Sequence, residues 1–466
     1  MKILLILPPN LGRYVVATIP HAGIATLAAV LEKAGHSVGL QDMRLYPDTG
    51  DLLQKIRDYK PDLIGMSMAS FGYKMSYEIV NQIKDEFDIP IAAGGSYTSV
   101  VFGKILKDCK ADYVVYGEGE QPFTDLCNKV DPKEINGLIW RNGDEIVTNP
   151  PMATNKDLDS LPLPKYDLFE LDKMMEKRIP IVSSRGCPYR CTFCSIALVF
   201  ERPFRERSPE STVNELKHWY SKGFNTFEFS DDNFTFNMER AEKICDLIIE
   251  SDMKLKLIFG NGLRADRVNE QLLRKLKDAG TVWIAYSMET SNTNSLKLLK
   301  KGMTKETLKS AVKLTKEIGI DCQVNFIIGN PEQTYEMFVE DTKFAATLGI
   351  DQVRFYNMVP YPGTEMFTWV KEHGTLLHSP DEFLNSLHYW GEEPVFETKE
   401  FTREERIKAY RLGQEKIMEL FLKRHFGKTL GAIGFKTWKV PFVQNHLMEP
   451  AKKGWIMMKK LRIKQY

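Results

Sequence analysis

Hydrophobic positions along the first 130 residues alternate between short apolar runs and amphipathic segments with helical spacing. The runs predict five strands, at 2–7, 38–42, 63–68, 89–93 and 113–117. The first helical stripe spans 23–31 and is followed by Gly35, a typical helix stop. Strands that alternate with helices are typical of a doubly wound parallel sheet, so we predict an α/β, Rossmann-like domain over residues 1–135.

Ligands of such sheets bind at the carboxyl ends of the strands. The residues that follow the predicted strands are therefore candidates for a binding site: Pro8, Pro9, Ser67, Gly94, Gly95, Ser96, Gly117, Glu118, Gly119 and Glu120. Glycine at a strand end lets the backbone approach a large planar ligand closely. A hairpin turning at Asn142-Gly143 and a proline-rich linker are predicted over 136–175.

A second alternating series begins near residue 180. It predicts strands near 180–184, 226–230, 256–260, 283–288, 323–328 and 352–357, with helical patterns between them. Ser208 followed by Pro209 indicates the start of one of these helices. Six such steps predict a partial (β/α)6 barrel over 176–375, whose mouth should carry the chemistry. Residues 376–466 are predicted to be mostly helical.

The amino-acid composition indicates which class of protein this chain is. With 466 residues, 43% apolar content and a net charge of +1, the chain should be a globular protein of two or three domains. No apolar run approaches the ~20 residues that cross a bilayer, so we expect a cytoplasmic protein.

The end of the chain departs from this neutrality, because residues 421–466 contain eleven Lys or Arg and one acid, Glu449. Trp438, Trp455 and other apolar residues are interleaved with these bases. Such a segment suits a peripheral contact with a membrane surface, here its inner face, with an anionic substrate or with a nucleic acid. A solvated basic edge that packs on the acidic remainder of the chain is the alternative.

Three of the seven cysteines, Cys187, Cys191 and Cys194, lie within eight residues just after the first predicted barrel strand. The Cx3CxxC spacing offers three thiolates from one loop, one fewer than a closed zinc or iron–sulfur site with four cysteines uses. We therefore expect an open coordination position. A zinc knuckle with a fourth ligand from elsewhere, or unliganded thiols, are the alternatives. The other cysteines are predicted to be small core residues: Cys109, Cys127, Cys245 and Cys322.

With Phe193 before the last cysteine and a six-step βα barrel behind it, this motif resembles the radical S-adenosylmethionine (SAM) superfamily. The resemblance implies a [4Fe–4S] cluster held by the three cysteines, with SAM on its open iron. It implies further contacts with SAM or substrate by Phe193, Asp231, Asp232, Glu289 and Gly329. Helix capping by Asp232 or Asn237 and an ordinary strand-end turn at Gly329 are the alternatives.

The first domain resembles the cobalamin-binding domain that is joined to radical SAM barrels, on the strength of Ala22-Gly23-Ile24 opening a helix and of the strand ends named above. The resemblance implies that those ten strand-end residues bind cobalamin. One departure is that the Asp-x-His-x-x-Gly motif, which supplies an axial histidine in many cobalamin proteins, is absent. His21 is better suited to a hydrogen bond at the helix start or a substrate contact than to cobalt ligation. A domain that has lost cobalamin and only packs on the barrel is the other interpretation.

Together the resemblances cover roughly residues 1–375 and imply an enzyme that uses a [4Fe–4S] cluster, SAM and cobalamin. The favoured hypothesis is a methyltransferase that moves a methyl group from methylcobalamin to an unactivated carbon after a 5′-deoxyadenosyl radical has abstracted hydrogen. The alternatives are a cyclase, oxidase or rearrangement enzyme without methyl transfer, and a non-catalytic Fe–S or zinc protein. Expected partners are a small-molecule, lipid or tetrapyrrole substrate and a flavodoxin- or ferredoxin-type electron donor, whereas nucleic acid is not expected.

Overall fold

The structure, a computed structural model, describes residues 1–11, 17–101, 104–199 and 204–440. Its first sheet contains β1 Lys2–Leu7, β2 Ser37–Asp42, β3 Leu63–Ser67, β4 Ile91–Gly94, β5 Tyr113–Val115, β6 Leu138–Asn142 and β7 Glu145–Thr148. The strand order is β2-β1-β3-β4-β5-β6-β7. The first five strands are parallel, as predicted, and the last two are antiparallel to their neighbours.

Helices cover both faces of this sheet. They are α1 Ala22–Lys33, α2 Thr49–Tyr59, α3 Tyr73–Glu86, α4 Thr98–Val101, α5 Lys104–Asp108 and α6 Glu120–Cys127. α1 and α6 pack on the face that carries Leu5, and α2, α3 and α5 pack on the face that carries Leu4. Both cores continue into the second half of the chain: the core around α1 and α6 joins the buried residues of the second sheet, and the other core joins Leu299, Met366 and Phe383.

The predicted hairpin forms and extends the first sheet. β6 and β7 pair with each other around a turn at Gly143, whose φ is +62°, and β6 also pairs with β5. The hairpin therefore belongs with the first sheet rather than with the linker that follows it. Four short 3-10 helices lie near this connection, at Pro132–Glu134, Leu158–Ser160, Tyr166–Leu168 and Leu171–Lys173.

The second half contains β8 Ile179–Ile181, β9 Ser184–Arg185, β10 Arg205–Glu206, β11 Thr226–Phe229, β12 Lys256–Leu263, β13 Thr281–Glu289, β14 Asp321–Ile328 and β15 Gln352–Asn357. Six of these strands form a parallel sheet in the order β15-β14-β13-β12-β11-β8, while β9 and β10 form a separate antiparallel ribbon. Among the described residues β8 and β15 do not pair with each other. The predicted partial barrel is confirmed.

The helices of this half are α7 Ile196–Val199, α8 Pro209–Ser221, α9 Met238–Glu250, α10 Glu270–Asp278, α11 Thr293–Leu298, α12 Lys305–Glu317 and α13 Tyr335–Thr347, with a 3-10 turn at Ala265–Arg267. α8 begins as its sequence predicts, because the Ser208 side chain accepts a hydrogen bond from Ser211 N at 3.0 Å and Pro209 takes the first helical position. The Trp219 side chain anchors the other end of α8 and is 1% exposed.

The C-terminal part is mostly helical, with α14 Glu365–His373, α15 Pro380–Phe383, α16 Arg403–Trp438 and a 3-10 turn at Leu387–Trp390. It also contains a small antiparallel sheet that the sequence analysis did not predict, formed by β16 Gly374–Leu376 and β17 Phe396–Thr398. α16 is interrupted at Gly427, where φ is +78°.

Part of the basic tail is described, and it packs on acidic groups. Arg424 lies 2.6 Å from Asp321, and Lys439 lies 2.7 Å from Glu415. These pairs favour the solvated-edge interpretation for residues up to 440, whereas 441–466, including Lys452, Lys453, Lys459 and Lys460, lie outside the described residues. In the described part of the chain, no helix is both long and apolar enough to cross a membrane.

Candidate functional site between the two sheets

A cavity of about 460 Å³ lies where the first sheet meets the barrel. Its first wall comes from strand ends of the first sheet, and the opposite wall includes Ser184 and Arg185 of β9 and Ser195 and Ile196 beyond the cysteine motif. Eight of the ten predicted strand-end residues line it: Ser67, Gly94, Gly95, Ser96, Gly117, Glu118, Gly119 and Glu120. Pro8 and Pro9 lie outside the lining.

Small residues create the space in the first wall. Gly65, Ala92, Ala93, Gly94 and Gly95 follow one another across neighbouring strands there. The φ of Gly95 is +114°, and a Cβ on it would lie 2.6 Å from Met68 O, so only glycine fits without a shift of the backbone. A wide, apolar slot at the carboxyl ends of parallel strands suits a large planar cofactor with a nucleotide tail. These residues fit cobalamin.

His21 lies at the edge of this slot and caps α1. Its Nδ1 accepts a hydrogen bond from Ile24 N at 3.2 Å, which confirms the predicted role at the helix start. Burial, followed by the charge of Arg44, lowers the pKa of His21 to about 4. A neutral ring whose Nδ1 accepts a hydrogen bond carries its proton on Nε2. Nε2 therefore presents a donor rather than the lone pair that cobalt ligation needs.

Replacing His21 with Asn should keep the helix cap and remove the titrating ring. The unfolded ring binds a proton near pH 6.5 and the folded ring only near pH 4, so the wild type should lose stability relative to His21→Asn as the pH falls through this interval. The melting temperatures of the two full-length proteins, measured between pH 8 and 4, test this difference in stability. Above pH 7 the difference between the two melting temperatures should not change with pH. A nitrogen splitting in the EPR spectrum of bound cob(II)alamin that disappears in His21→Asn would contradict the assignment.

The cysteine motif occupies the loop between β9 and β10. Its backbone is anchored to two later segments, because Thr192 N donates to Leu299 O at 3.1 Å and Thr192 O accepts from Met366 N at 2.9 Å. Asn233 Nδ2 lies 3.7 Å from Cys187 Sγ. Cys187, Cys191 and Cys194 are partly buried and form no disulfide, whereas Cys109, Cys127, Cys245 and Cys322 are buried core residues, as predicted.

Three free thiols in one partly buried loop fit a cluster that leaves one iron open. Within the described ranges, no three Cys, His, Asp or Glu side chains are close enough to hold a single metal ion. A [4Fe–4S] cluster does not need such a group, because each of its cysteines binds a different iron. Burial raises the pKa of the Cys194 thiol to about 11, so its proton must be released when iron binds.

Asp231 and Asp232 support the start of this loop. Asp231 is 3% exposed, and its Oδ1 accepts hydrogen bonds from the hydroxyls of Ser183 and Ser184. Asp232 Oδ2 accepts from Gly186 N at 2.8 Å, and the residue also lines the cavity. Asn237, not Asp232, caps the following helix α9. Asp231 Oδ1 is thus held by the protein itself, whereas its buried Oδ2 has no hydrogen-bond partner among the described residues, and Asp232 lines the cavity.

Glu289, at the end of β13, forms a buried ion pair that the sequence analysis missed. Lys301 Nζ lies 2.7 Å from Glu289 Oε1, and both residues are under 10% exposed. The same ammonium group is 5.9 Å from the ring centroid of Phe193 in the cysteine loop. Burial, the largest single influence, lowers the pKa of Lys301, but the charges of Glu289 and Cys191 and the hydrogen bond to Glu289 together outweigh it, so the pKa is raised. The pair brings a carboxylate and an ammonium group beside the cysteines.

The backbone of Glu289 adopts the left-handed conformation, with φ at +69°. This conformation costs about 1 kcal/mol for a residue with a Cβ and persists where surrounding contacts hold it. Here Asn330 Nδ2 donates to Glu289 O at 3.3 Å, and Lys301 holds the side chain. Strain of this kind is concentrated at ligand sites.

Gly329 is also placed by a tight network. Its φ is +93°, and a Cβ there would collide with the guanidinium group of Arg406. Gly329 N donates to Gln333 Oε1 at 2.7 Å, and Gln333 Nε2 donates to Asp341 at 2.9 Å. These hydrogen bonds hold the backbone of the turn after β14 next to Glu289.

Arg264, just after β12, pairs with Asp266 at 2.9 Å. It also stacks on Tyr189 of the cysteine loop, with 3.6 Å between its guanidinium carbon and the ring centroid. A further hydrogen bond joins Arg264 to Lys301 O at 2.9 Å. Arg264 thus connects the loop to the segment that carries Lys301.

Comparisons with known proteins agree with both halves of this site. The family model of the radical SAM superfamily matches residues 181–345, and that of the B12 binding domain matches residues 11–127. An uncharacterised methyltransferase of Pyrococcus horikoshii is 30% identical over 426 residues, which are 88% of this chain and 91% of that protein. The chain belongs to the radical SAM enzymes that carry a B12-binding domain. Its family cofactors are a [4Fe–4S] cluster, SAM and cobalamin, as the motifs predicted.

A further relative and a solved structure also resemble this chain. An anaerobic magnesium-protoporphyrin IX monomethyl ester cyclase of Rubrivivax gelatinosus is 27% identical over 76% of this chain and 67% of that protein. The structure of TsrM, a radical SAM methyltransferase from Kitasatospora setae with cobalamin and a [4Fe–4S] cluster bound, superposes with a TM-score of 0.68 at 20% identity. The match covers 80% of this chain and 74% of that chain, and it confirms the predicted α/β architecture.

Proposed function

We propose that the protein is a cobalamin-dependent radical SAM methyltransferase that transfers a methyl group to an unactivated carbon of a small molecule. The observation that carries the proposal is the shared cavity, which the strand ends of the first sheet and the base of the cysteine loop both line. The Pyrococcus methyltransferase, which matches over nearly the whole chain, supports methyl transfer over the other reactions of the family.

When bound, SAM on the cluster supplies a 5′-deoxyadenosyl radical, and cobalamin supplies the methyl group. The chain supplies the residues that would hold these groups. Cys187, Cys191 and Cys194 would hold the cluster, and the glycine- and alanine-rich wall around Gly94 and Gly95 would hold cobalamin. The apolar lining of the cavity would keep water away from the reacting carbon.

Glu289 and Lys301 would hold the amino-acid part of SAM. A carboxylate pairs with an ammonium group and an ammonium group with a carboxylate, so this buried pair offers the two charges that a zwitterion needs. Phe193 would supply an apolar face beside them. Asp232 and Gly329 remain proposed contacts, because both follow the carboxyl ends of parallel barrel strands, β11 and β14.

Tetrapyrroles are the first substrate class to test, because the cyclase relative is named for one. The electron donor is proposed to be a flavodoxin- or ferredoxin-type protein, since the cluster needs one electron for each cleavage of SAM. Contact of the tail with a membrane stays a prediction, because most of its bases lie beyond residue 440.

Anaerobically purified protein should contain about four irons per chain and, after incubation with hydroxocobalamin, about one cobalamin. With a low-potential reductant, substrate and SAM that carries a deuterated methyl group, it should form S-adenosylhomocysteine and 5′-deoxyadenosine together, because methylation and radical formation each consume one SAM. Mass spectrometry of both nucleosides and of the labelled product measures this.

Three outcomes would contradict the proposal. Deoxyadenosine without S-adenosylhomocysteine would indicate a cyclase or oxidase, and zinc in place of iron would exclude radical chemistry. Iron without cobalamin would indicate a radical enzyme whose first domain only packs on the barrel.

A further inference from the structure

The base of the cysteine loop brings two arginines face to face. β9 and β10 pair in antiparallel fashion with Arg185 directly opposite Arg205, and the segment between them carries all three cysteines. The two side chains are 13% and 6% exposed. Like charges directly opposite each other on paired strands destabilise the pairing, and burial strengthens the repulsion. The ribbon therefore needs an anion at this point.

Glu118 of the first domain supplies that anion to both strands. Arg185 Nη1 lies 3.0 Å from Glu118 Oε1, and Arg205 Nη1 lies 2.8 Å from Glu118 Oε2. The carboxylate is 7% exposed, and Asn155 N also donates to its Oε2, at 3.0 Å. Among the described residues, Arg205 forms no ion pair with any other acid.

Glu120 supplies the second negative charge that the two arginines need. Arg185 Nη2 lies 2.6 Å from Glu120 Oε1, so two guanidinium groups meet two carboxylates. Glu118 and Glu120 were predicted to bind cobalamin, but their carboxylates are directed to the barrel arginines. Of the two, only Glu118 contacts both ends of the cysteine loop.

We propose that Glu118 is a positioning residue that fixes the base of the cysteine loop against the first domain and so sets the separation of cluster and cobalamin. The inference rests on the proposed function only in requiring both cofactors. The arrangement matters because the two cofactors are held by different sheets, and radical transfer needs its partners in a fixed geometry. Within the described residues, Glu118 is the residue through which the first sheet holds both strands of the ribbon.

The first test is amide hydrogen exchange in full-length Glu118→Gln, read by mass spectrometry on peptides that contain residues 184–187 and 205–207. Exchange should accelerate by at least about tenfold at both strands, because the two arginines lose their shared anion and the ribbon opens more often. The matched control is Glu215→Gln, which removes a buried carboxylate that contacts Arg207 wholly inside the barrel. The control should leave exchange at Arg185 unchanged.

The second test uses protein loaded with both cofactors and reduced so that cob(II)alamin and the cluster are paramagnetic. In Glu118→Gln the magnetic coupling between them should be weaker on average and should cover a wider range of values, because their separation is no longer fixed. In Glu215→Gln it should stay at the wild-type value. Removing Arg205 as well, in Glu118→Gln/Arg205→Gln, should partly restore the coupling because the facing charges are gone.

Exchange at the ribbon equal to wild type in Glu118→Gln would overturn the proposal. So would loss of cobalamin with an undisturbed ribbon, since Glu118 would then be a cofactor contact. Neither readout depends on methyl transfer, so a failed methyl-transfer assay would count against the proposed function alone.

Discussion

Cys191→Ala should lose SAM cleavage to background and most of its iron. Two thiolates from this loop cannot hold three irons of a cluster, and without the cluster no electron reaches SAM. The measurements are iron and sulfide per chain, the absorption of the reconstituted protein near 400 nm and 5′-deoxyadenosine formed with a strong reductant. Cobalamin binding should persist, because its proposed wall belongs to the first domain.

Cys245→Ala is the matched control for this loss. Cys245 is 1% exposed within α9 and lies in the barrel core, so its replacement should lower stability by about 1 kcal/mol and retain the cluster. Normal SAM cleavage in Cys191→Ala, or equal loss in both variants, would contradict the assignment of the cluster to this loop.

Lys301→Met should lower the free energy of unfolding by about 3–5 kcal/mol, because it leaves the Glu289 carboxylate buried and unpaired. It should also weaken SAM binding, since the ammonium group proposed to meet the SAM carboxylate is gone. Urea denaturation of the full-length protein measures the first effect, and SAM binding to the cluster-loaded protein measures the second.

The residue before Lys301 in the sequence provides the control for Lys301→Met. Lys300 pairs with Glu365, and both side chains are half exposed, so Lys300→Met should cost less than about 1 kcal/mol. The double variant Glu289→Gln/Lys301→Met removes both charges and should recover much of the stability without recovering SAM binding. Recovery of both would show that the pair is structural only.

Much of the fold was predictable because its signals are local. The apolar runs of β1 to β5 and the Ser208-Pro209 start of α8 depend on neighbouring residues, and the Cx3CxxC spacing fixes three ligands within one loop. Local periodicity predicted the doubly wound sheet and the partial barrel for the same reason. The small sheet of β16 and β17 was missed, because each strand has only three residues and no clear alternation.

The roles of individual charged side chains were not predictable in this way. Glu118 follows a strand of the first domain as a cofactor-binding residue would, and its partners Arg185 and Arg205 lie 67 and 87 residues further along the chain. Lys301 stands beside exposed Lys300 in an ordinary Lys-Lys-Gly run, and nothing in the sequence distinguishes the two. The side chain of Asp231 likewise found its partners inside the barrel.

The succession of strands and helices and the position of the cysteine loop follow from patterns that extend over a few residues, and the class of cofactors follows from the resemblance of those motifs to a family. Which carboxylate meets which cation, and that the two halves share one cavity, depend on how distant segments pack together. Burial selects such pairs, since a charge removed from water must find an opposite charge wherever the fold places one.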